Sequence, residues 1–155
     1  MEPVDQTIID RVVSMYHPQF RYLRSLATDG TNGNAVFQLG TTGHLVDPVQ
    51  HLTAVEADIC RDQAGYAAFT YGVQQGWEGL PRQGIEEFLQ KGRENMLVRK
   101  CITEFHRMTT PEGRFDGELH LKRRKKVGCL YLADIAFSLN AGAVGGEVRF
   151  ILRCE

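Results

Sequence analysis

The sequence lacks any C-x-x-C spacing, any apolar run long enough to cross a membrane and any marked excess of one charge, and each absence narrows the possibilities. Cys60, Cys101, Cys129 and Cys154 stand far apart inside apolar or strand-like runs. They read as reduced core thiols of a cytoplasmic protein, not as a zinc site or a disulfide frame, and no metal is expected. The N-terminal MEPVDQTIIDRVV opens on acidic residues, with neither a basic leader nor a long apolar segment, and so supports neither export nor a membrane span. With 18 Lys and Arg against 19 Asp and Glu the formal charge is -1, and nothing global points to nucleic acid or a membrane surface. Internal repeats and low-complexity tracts are missing. So are a nucleophile elbow, a P-loop and a dinucleotide fingerprint, and no cofactor is expected.

What is present fits one domain over residues 1–155, a length that buries about two thirds of its unfolded surface. Its organising stretch is Gln50–Gly72, QHLTAVEADICRDQAGYAAFTYG. Val55, Ile59, Tyr66, Phe69 and Val73 recur at helical spacing, and Ala54, Ala57, Ala64, Gly65, Ala67 and Ala68 fall on several faces, so a sheet can approach closely around most of the helix. Little water then remains for Glu56, Asp58, Arg61 or Asp62, which must be paired, shifted in pKa or used. Thr53 is the expected N-cap, with Glu56 completing a capping box. The same carboxylate lies beside first-turn N–H groups that could hold a substrate oxyanion, so capping and catalysis are compatible.

Before this helix, Asp5–Met15 reads as a short amphipathic helix ended by Pro18, Phe20–Ala27 as a strand, and the turn-rich Thr28–Asn34 with AVFQLG as a hairpin. After it, IEEFLQKG reads as a helical cover segment. Four strand-like runs follow: Met96–Met108, Arg114–Lys126, Val127–Asn140 and Gly146–Cys154. Helix, strands, long helix and strand meander give an α+β class, a curved antiparallel sheet wrapped round one central helix. Open sheet edges favour a homodimer.

The residues QHLTAVEADICRDQAGYAAF, followed by NMLVRKCITEF and the meander, resemble the FcoT-like branch of the hotdog-fold thioesterase superfamily. The likeness is strongest at Arg21-Tyr22-Leu23, at His51 with Ala54-Val55-Glu56, at Gln63, Ala64 and Tyr66, and at Met96-Leu97 with Arg99-Lys100, and it runs through most of the chain. It implies a hotdog homodimer that binds acyl thioesters of coenzyme A or an acyl carrier protein, with the acyl chain along the central helix. Some members of the branch are described as long-chain acyl-CoA thioesterases. Others, in isonitrile lipopeptide and β-amino-acid macrolactam pathways, add glycine to the β-carbon of a 2-enoyl thioester, giving an N-carboxymethyl-3-aminoacyl product. A tyrosine and an asparagine proposed as catalytic in the long-chain member correspond to Leu45 and Thr53 here, and a further tyrosine to Tyr16. That departure favours glycine addition over hydrolysis and leaves His51 and Glu56 as the ionisable residues in place.

The expected roles follow from that chemistry. Glu56, partly buried and therefore raised in pKa, is the base that frees the glycine amine. His51 orients glycine or relays a proton to the α-carbon, unless it is a plain loop residue. N–H groups around Thr53, Ala54 and Val55 hold the enolate oxygen. Arg99 is preferred to Arg61 for the glycine carboxylate, because Asp58 and Asp62 lie within one turn of Arg61; Arg99 and Lys100 alternate, one inward and one outward. Tyr66, Phe69 and Phe105 read as tunnel wall or core. Lys122, Arg123, Arg124, Lys125 and Lys126 cannot all share one strand face; they mark a solvated strand end or a surface for an acidic carrier protein or the nucleotide end of coenzyme A. Hydrolysis, hydration or dehydration, and a non-catalytic acyl-binding role remain the rival readings.

Overall fold

The computed structural model describes residues 1–39, 51–109 and 113–154, the side chain of residue 93 excepted. A two-residue strand β1 (Glu2–Pro3) precedes α1 (Gln6–Val13), whose N-cap Asp5 accepts the Thr7 N–H. Ile8, Ile9 and Val12 form its buried face. Pro18–Phe20 adopts a 3-10 turn, so the expected strand begins later, as β2 (Leu23–Thr28), and pairs with β3 (Asn32–Leu39) in the expected hairpin.

The long helix α2 runs Ala54–Gln75, with Thr53 as its N-cap and Gly76 at φ 68° as its left-handed C-cap. It therefore starts four residues inside the expected span and ends beyond it, as the two caps dictate. α3 (Ile85–Asn95) leads into β4 (Met96–Phe105), and β5 (Gly113–Val127), β6 (Leu130–Leu139) and β7 (Val144–Arg153) follow.

All pairings are antiparallel, and the order across the sheet is β1-β2-β3-β5-β6-β7-β4. The last three strands are a meander, whereas β4, reached from the helices, closes the far edge. α2 lies against the sheet with core side chains around it. Gly65 is the closest approach: a Cβ there would stand 2.9 Å from the Phe150 ring, which explains glycine at this point of a helix. Phe69 meets Tyr131 and Phe150 edge to face, with centroids 6.2 and 5.6 Å away. This is the hotdog arrangement of the α+β class. No helix among the described residues is long and apolar enough to cross a membrane.

Two burial expectations are corrected. Only Cys60 is a core thiol; Cys101 and Cys129 are exposed on or beside edge and hairpin positions, and Cys154 is half-buried. Val55 and Phe105 are both 44% exposed, because the first turn of α2 and the edge strand β4 each have one uncovered side.

Candidate active site

Glu56 is the third residue of α2 and is fully buried. Its Oε2 accepts the Thr53 N–H at 3.0 Å and also the Thr53 hydroxyl, so the capping box fixes the carboxylate at the helix N-terminus. Ala54 and Val55 are exposed on the other side of the same turn. His51 is exposed too, on the chain leading into the helix, where the Leu52 N–H donates to the Thr109 carbonyl at 2.8 Å. Leu45 and His44 lie outside the described residues.

One turn and two turns beyond Glu56, Cys60 and Gln63 continue the same inward face. Gln63 is fully buried, and its Oε1 accepts the backbone N–H groups of Tyr22 and Leu23 at 3.0 and 2.9 Å while its amide donates to the Phe20 carbonyl. This clamp fixes the start of β2, and with it Tyr22, against the face of α2 that carries Glu56 and Cys60. Burial, then the charges of Glu56 and Cys60, push the Tyr22 phenol well above its ordinary pKa. Sequence reasoning gave neither Tyr22 nor Gln63 a role, although both are among the residues that carry the family likeness.

A second polar group occupies the side of α2 towards β4. Arg61, only 3% exposed, donates through Nε and Nη2 to Asp62 Oδ1 at 2.9 and 2.7 Å, and through Nη1 to Asp58 Oδ1 at 2.8 Å and to the Cys101 sulfur. Thr103 Oγ1 donates to the same Asp58 oxygen at 3.1 Å. The guanidinium is thus committed to a structural ion-pair network, as the spacing of Asp58 and Asp62 suggested. Burial raises the Asp62 carboxyl against the opposing pull of Arg61. Tyr16, half-buried nearby, is likewise raised, first by burial and then by Asp62.

Arg99 and Lys100 do not alternate inward and outward. The register shifts between Val98 and Lys100, leaving Arg99 as the extra residue of a β-bulge, and both side chains are exposed on the sheet edge. Tyr66 donates its hydroxyl to the Gly92 carbonyl at 2.9 Å, tying α3 to α2. Phe69, 5% exposed, lines a small apolar cavity with Trp77, Leu119, Leu121, Tyr131 and Ile135. A depression of about 460 Å³ between α1 and α3 is lined by Arg11 and Glu86 and holds none of the expected site residues.

The basic run is split by a second bulge, between Leu121 and Arg123. Lys122 and Arg123 therefore both line one depression of about 240 Å³ on the outer face of the sheet, with Lys100 and Arg149. Lys125 and Arg123 line a neighbouring one of about 210 Å³. Lys100, Arg149, Asp134 and Arg123 stand directly opposite one another across four strands. Arg149 binds Asp134 at 2.5 and 2.8 Å and holds its carboxyl below the usual range, while Lys122 pairs with Glu147. Arg124 departs from this group and lies 3.6 Å from Glu78. Lys126 stands opposite Tyr131. Among the described residues no His, Cys, Asp and Glu cluster could hold a metal ion.

Comparison with known proteins agrees with this architecture. The chain is 28% identical over 156 residues to a (2E)-enoyl-[ACP] glycyltransferase of Streptomyces coeruleorubidus, covering 92% of this chain and 93% of that one. It is 25% identical to a protein of the same name from Mycobacterium bovis, covering 95% and 86%. Among solved structures, the PaaI protein of E. coli superposes with a TM-score of 0.53 at 11% identity, covering 96% of this chain and 92% of that one. A hypothetical thioesterase protein with coenzyme A from Streptococcus pneumoniae superposes with a TM-score of 0.56 at 6% identity, covering 97% and 98%. These structural likenesses carry the fold alone. Residues 11–151 match the FcoT-like thioesterase domain, and the chain belongs to that family of hotdog-fold enzymes.

Proposed function

We propose that this enzyme adds glycine to the β-carbon of a 2-enoyl thioester by aza-Michael addition, giving an N-carboxymethyl-3-aminoacyl thioester. The observation that carries the reading is the fully buried Glu56 carboxylate, held by its cap at the N-terminus of the central helix. Relatives bearing the name (2E)-enoyl-[ACP] glycyltransferase match over nearly the whole length of both chains, which supports the same substrate class.

In this reading Glu56 takes a proton from the glycine ammonium, and the freed amine attacks C3 of the enoyl chain. The C2–C3 π electrons move towards the thioester carbonyl, whose oxygen gathers the enolate charge. A proton returned to C2, from Glu56 itself or by way of His51, completes a redox-neutral addition. The acyl chain follows α2; Phe69 lies 13 residues beyond Glu56, about 20 Å along the axis. With Arg61 held by Asp58 and Asp62, the exposed Arg99 is the better cation for the glycine carboxylate. Lys122, Arg123 and Lys125 on the outer sheet face suit an acidic carrier protein. The edge strand β4, which exposes Leu97, Val98 and Ile102, suits pairing with a second copy in a homodimer.

Hydrolysis is the second reading, supported by the thioesterase name of the family. It uses the same Glu56 to activate water at C1. Mass spectrometry of a medium-chain 2-enoyl thioester incubated with the protein, with and without glycine, separates the two. A glycine-dependent mass gain on the intact thioester is the expected result, and free acid formed regardless of glycine would overturn it.

A further inference from the structure

Tyr22 is 2% exposed, yet among the described residues its hydroxyl has no hydrogen-bond partner. Leaving a buried hydroxyl unsatisfied is destabilising, so a phenol held this way needs a reason that a phenylalanine would not supply. Its surroundings give one. The backbone on both sides of the ring is pinned: the Tyr22 and Leu23 N–H groups donate to Gln63, and the Gln38 N–H donates to the Tyr22 carbonyl at 2.9 Å. Phe20 packs edge to face on the ring at 6.5 Å. The ring is thus fixed on the inward face of α2 where Glu56 and Cys60 lie, whereas the first-turn residues Ala54 and Val55 are exposed.

We propose that the Tyr22 hydroxyl is a catalytic hydrogen-bond donor to the thioester carbonyl oxygen of the substrate, a role that rests on the acyl-thioester reading of the Glu56 site. Burial and the neighbouring carboxylate keep the phenol protonated at neutral pH, so it can donate and does not compete with Glu56 as a base. A neutral donor beside an anionic base is also poorly suited to a substrate carboxylate. It suits an oxygen that is neutral in the ground state and gains negative charge only as the nucleophile attacks.

The test is Tyr22→Phe, with three readouts on the intact chain. Turnover of the 2-enoyl thioester should fall about 100- to 1000-fold, as for loss of one oxyanion donor, with the KM for glycine little changed. The melting temperature should stay level or rise, because the hydroxyl satisfies no partner among the described residues. For a bound ketone isostere of the thioester, 13C-labelled at the carbonyl, the stretching frequency should be lower in the native protein than in Tyr22→Phe. Near-native turnover, an unchanged carbonyl frequency or a clear loss of thermal stability would each overturn the assignment. Its failure is distinct from failure of the glycine reading. If the native protein hydrolyses the thioester instead, charge still develops on the same oxygen, and Tyr22→Phe still reports on that contact.

Discussion

Replacing Glu56 with glutamine removes the proposed base while keeping the size and shape of the side chain. The side chain is fully buried, and its Oε2 accepts the Thr53 N–H at 3.0 Å, a bond that a glutamine carbonyl can also accept in the same capping box. The structural loss includes that of a carboxylate at a buried helix N-terminus, up to about 2 kcal/mol. For a chain of this size that corresponds to a melting shift of about 4–8 °C at most. The catalytic loss is larger: removing a general base costs about 100- to 10,000-fold, or about 2.7–5.4 kcal/mol of barrier. The assay is the rate of glycine-adduct formation at saturating glycine, followed by mass spectrometry, with the melting curve taken alongside. Expected is a collapse of turnover with the fold intact. A Glu56→Gln protein that keeps a tenth or more of the native turnover would refute Glu56 as the base and with it the central step of the mechanism.

Phe69→Ala should lower stability by about 3–5 kcal/mol in urea unfolding and move the preferred substrate to longer acyl chains; unchanged selectivity would take Phe69 out of the acyl path. Reversing Arg123 and Lys125 to glutamate should raise the KM for a carrier-bound substrate on the order of tenfold, about 1.4 kcal/mol, in a salt-dependent way, and leave a pantetheine thioester unaffected. Equal effects on both substrates would count against a carrier surface. Asp29 accepts the N–H groups of Thr31 and Asn32 in the β2–β3 turn, and these bonds lower its pKa from 3.8 to about 2. Because the folded value lies below the unfolded one, its stabilising effect is complete above 3.8 and lost as the pH falls through about 2. Melting curves from pH 5 to 2 should therefore converge for the native protein and Asp29→Ala at the acid end, and a constant gap would contradict the linkage.

Much of the site was legible because it is local. The Thr53–Glu56 capping box depends on a spacing of three residues, and the Arg61 network on Asp58 and Asp62 within one turn, so the helical period already places the partners. Phe69 in the core and the small residues beneath Phe150 follow from the same period. The β-bulges were not legible. A bulge is a relation between two strands, and one extra residue in β4 and another in β5 changed which of Arg99, Lys100, Lys122 and Arg123 point together. Nor was the position of β4, since a strand-like run does not say which neighbour it will choose.

The sequence alone thus determined the α+β class, the central helix with its N-cap, and Glu56 as the carboxylate to watch, because these rest on periodicity and on contacts between residues a few positions apart. The tertiary structure decided that Tyr22 packs on the Glu56 face of α2, that Gln63 pins it there across some 40 positions of chain, and that basic residues of three strands meet on one outer face, with Asp134 of a fourth among them. Each of these depends on strand register and on the closeness with which the helix seats on the sheet. Both are set by packing between distant segments, which no local pattern in the chain encodes.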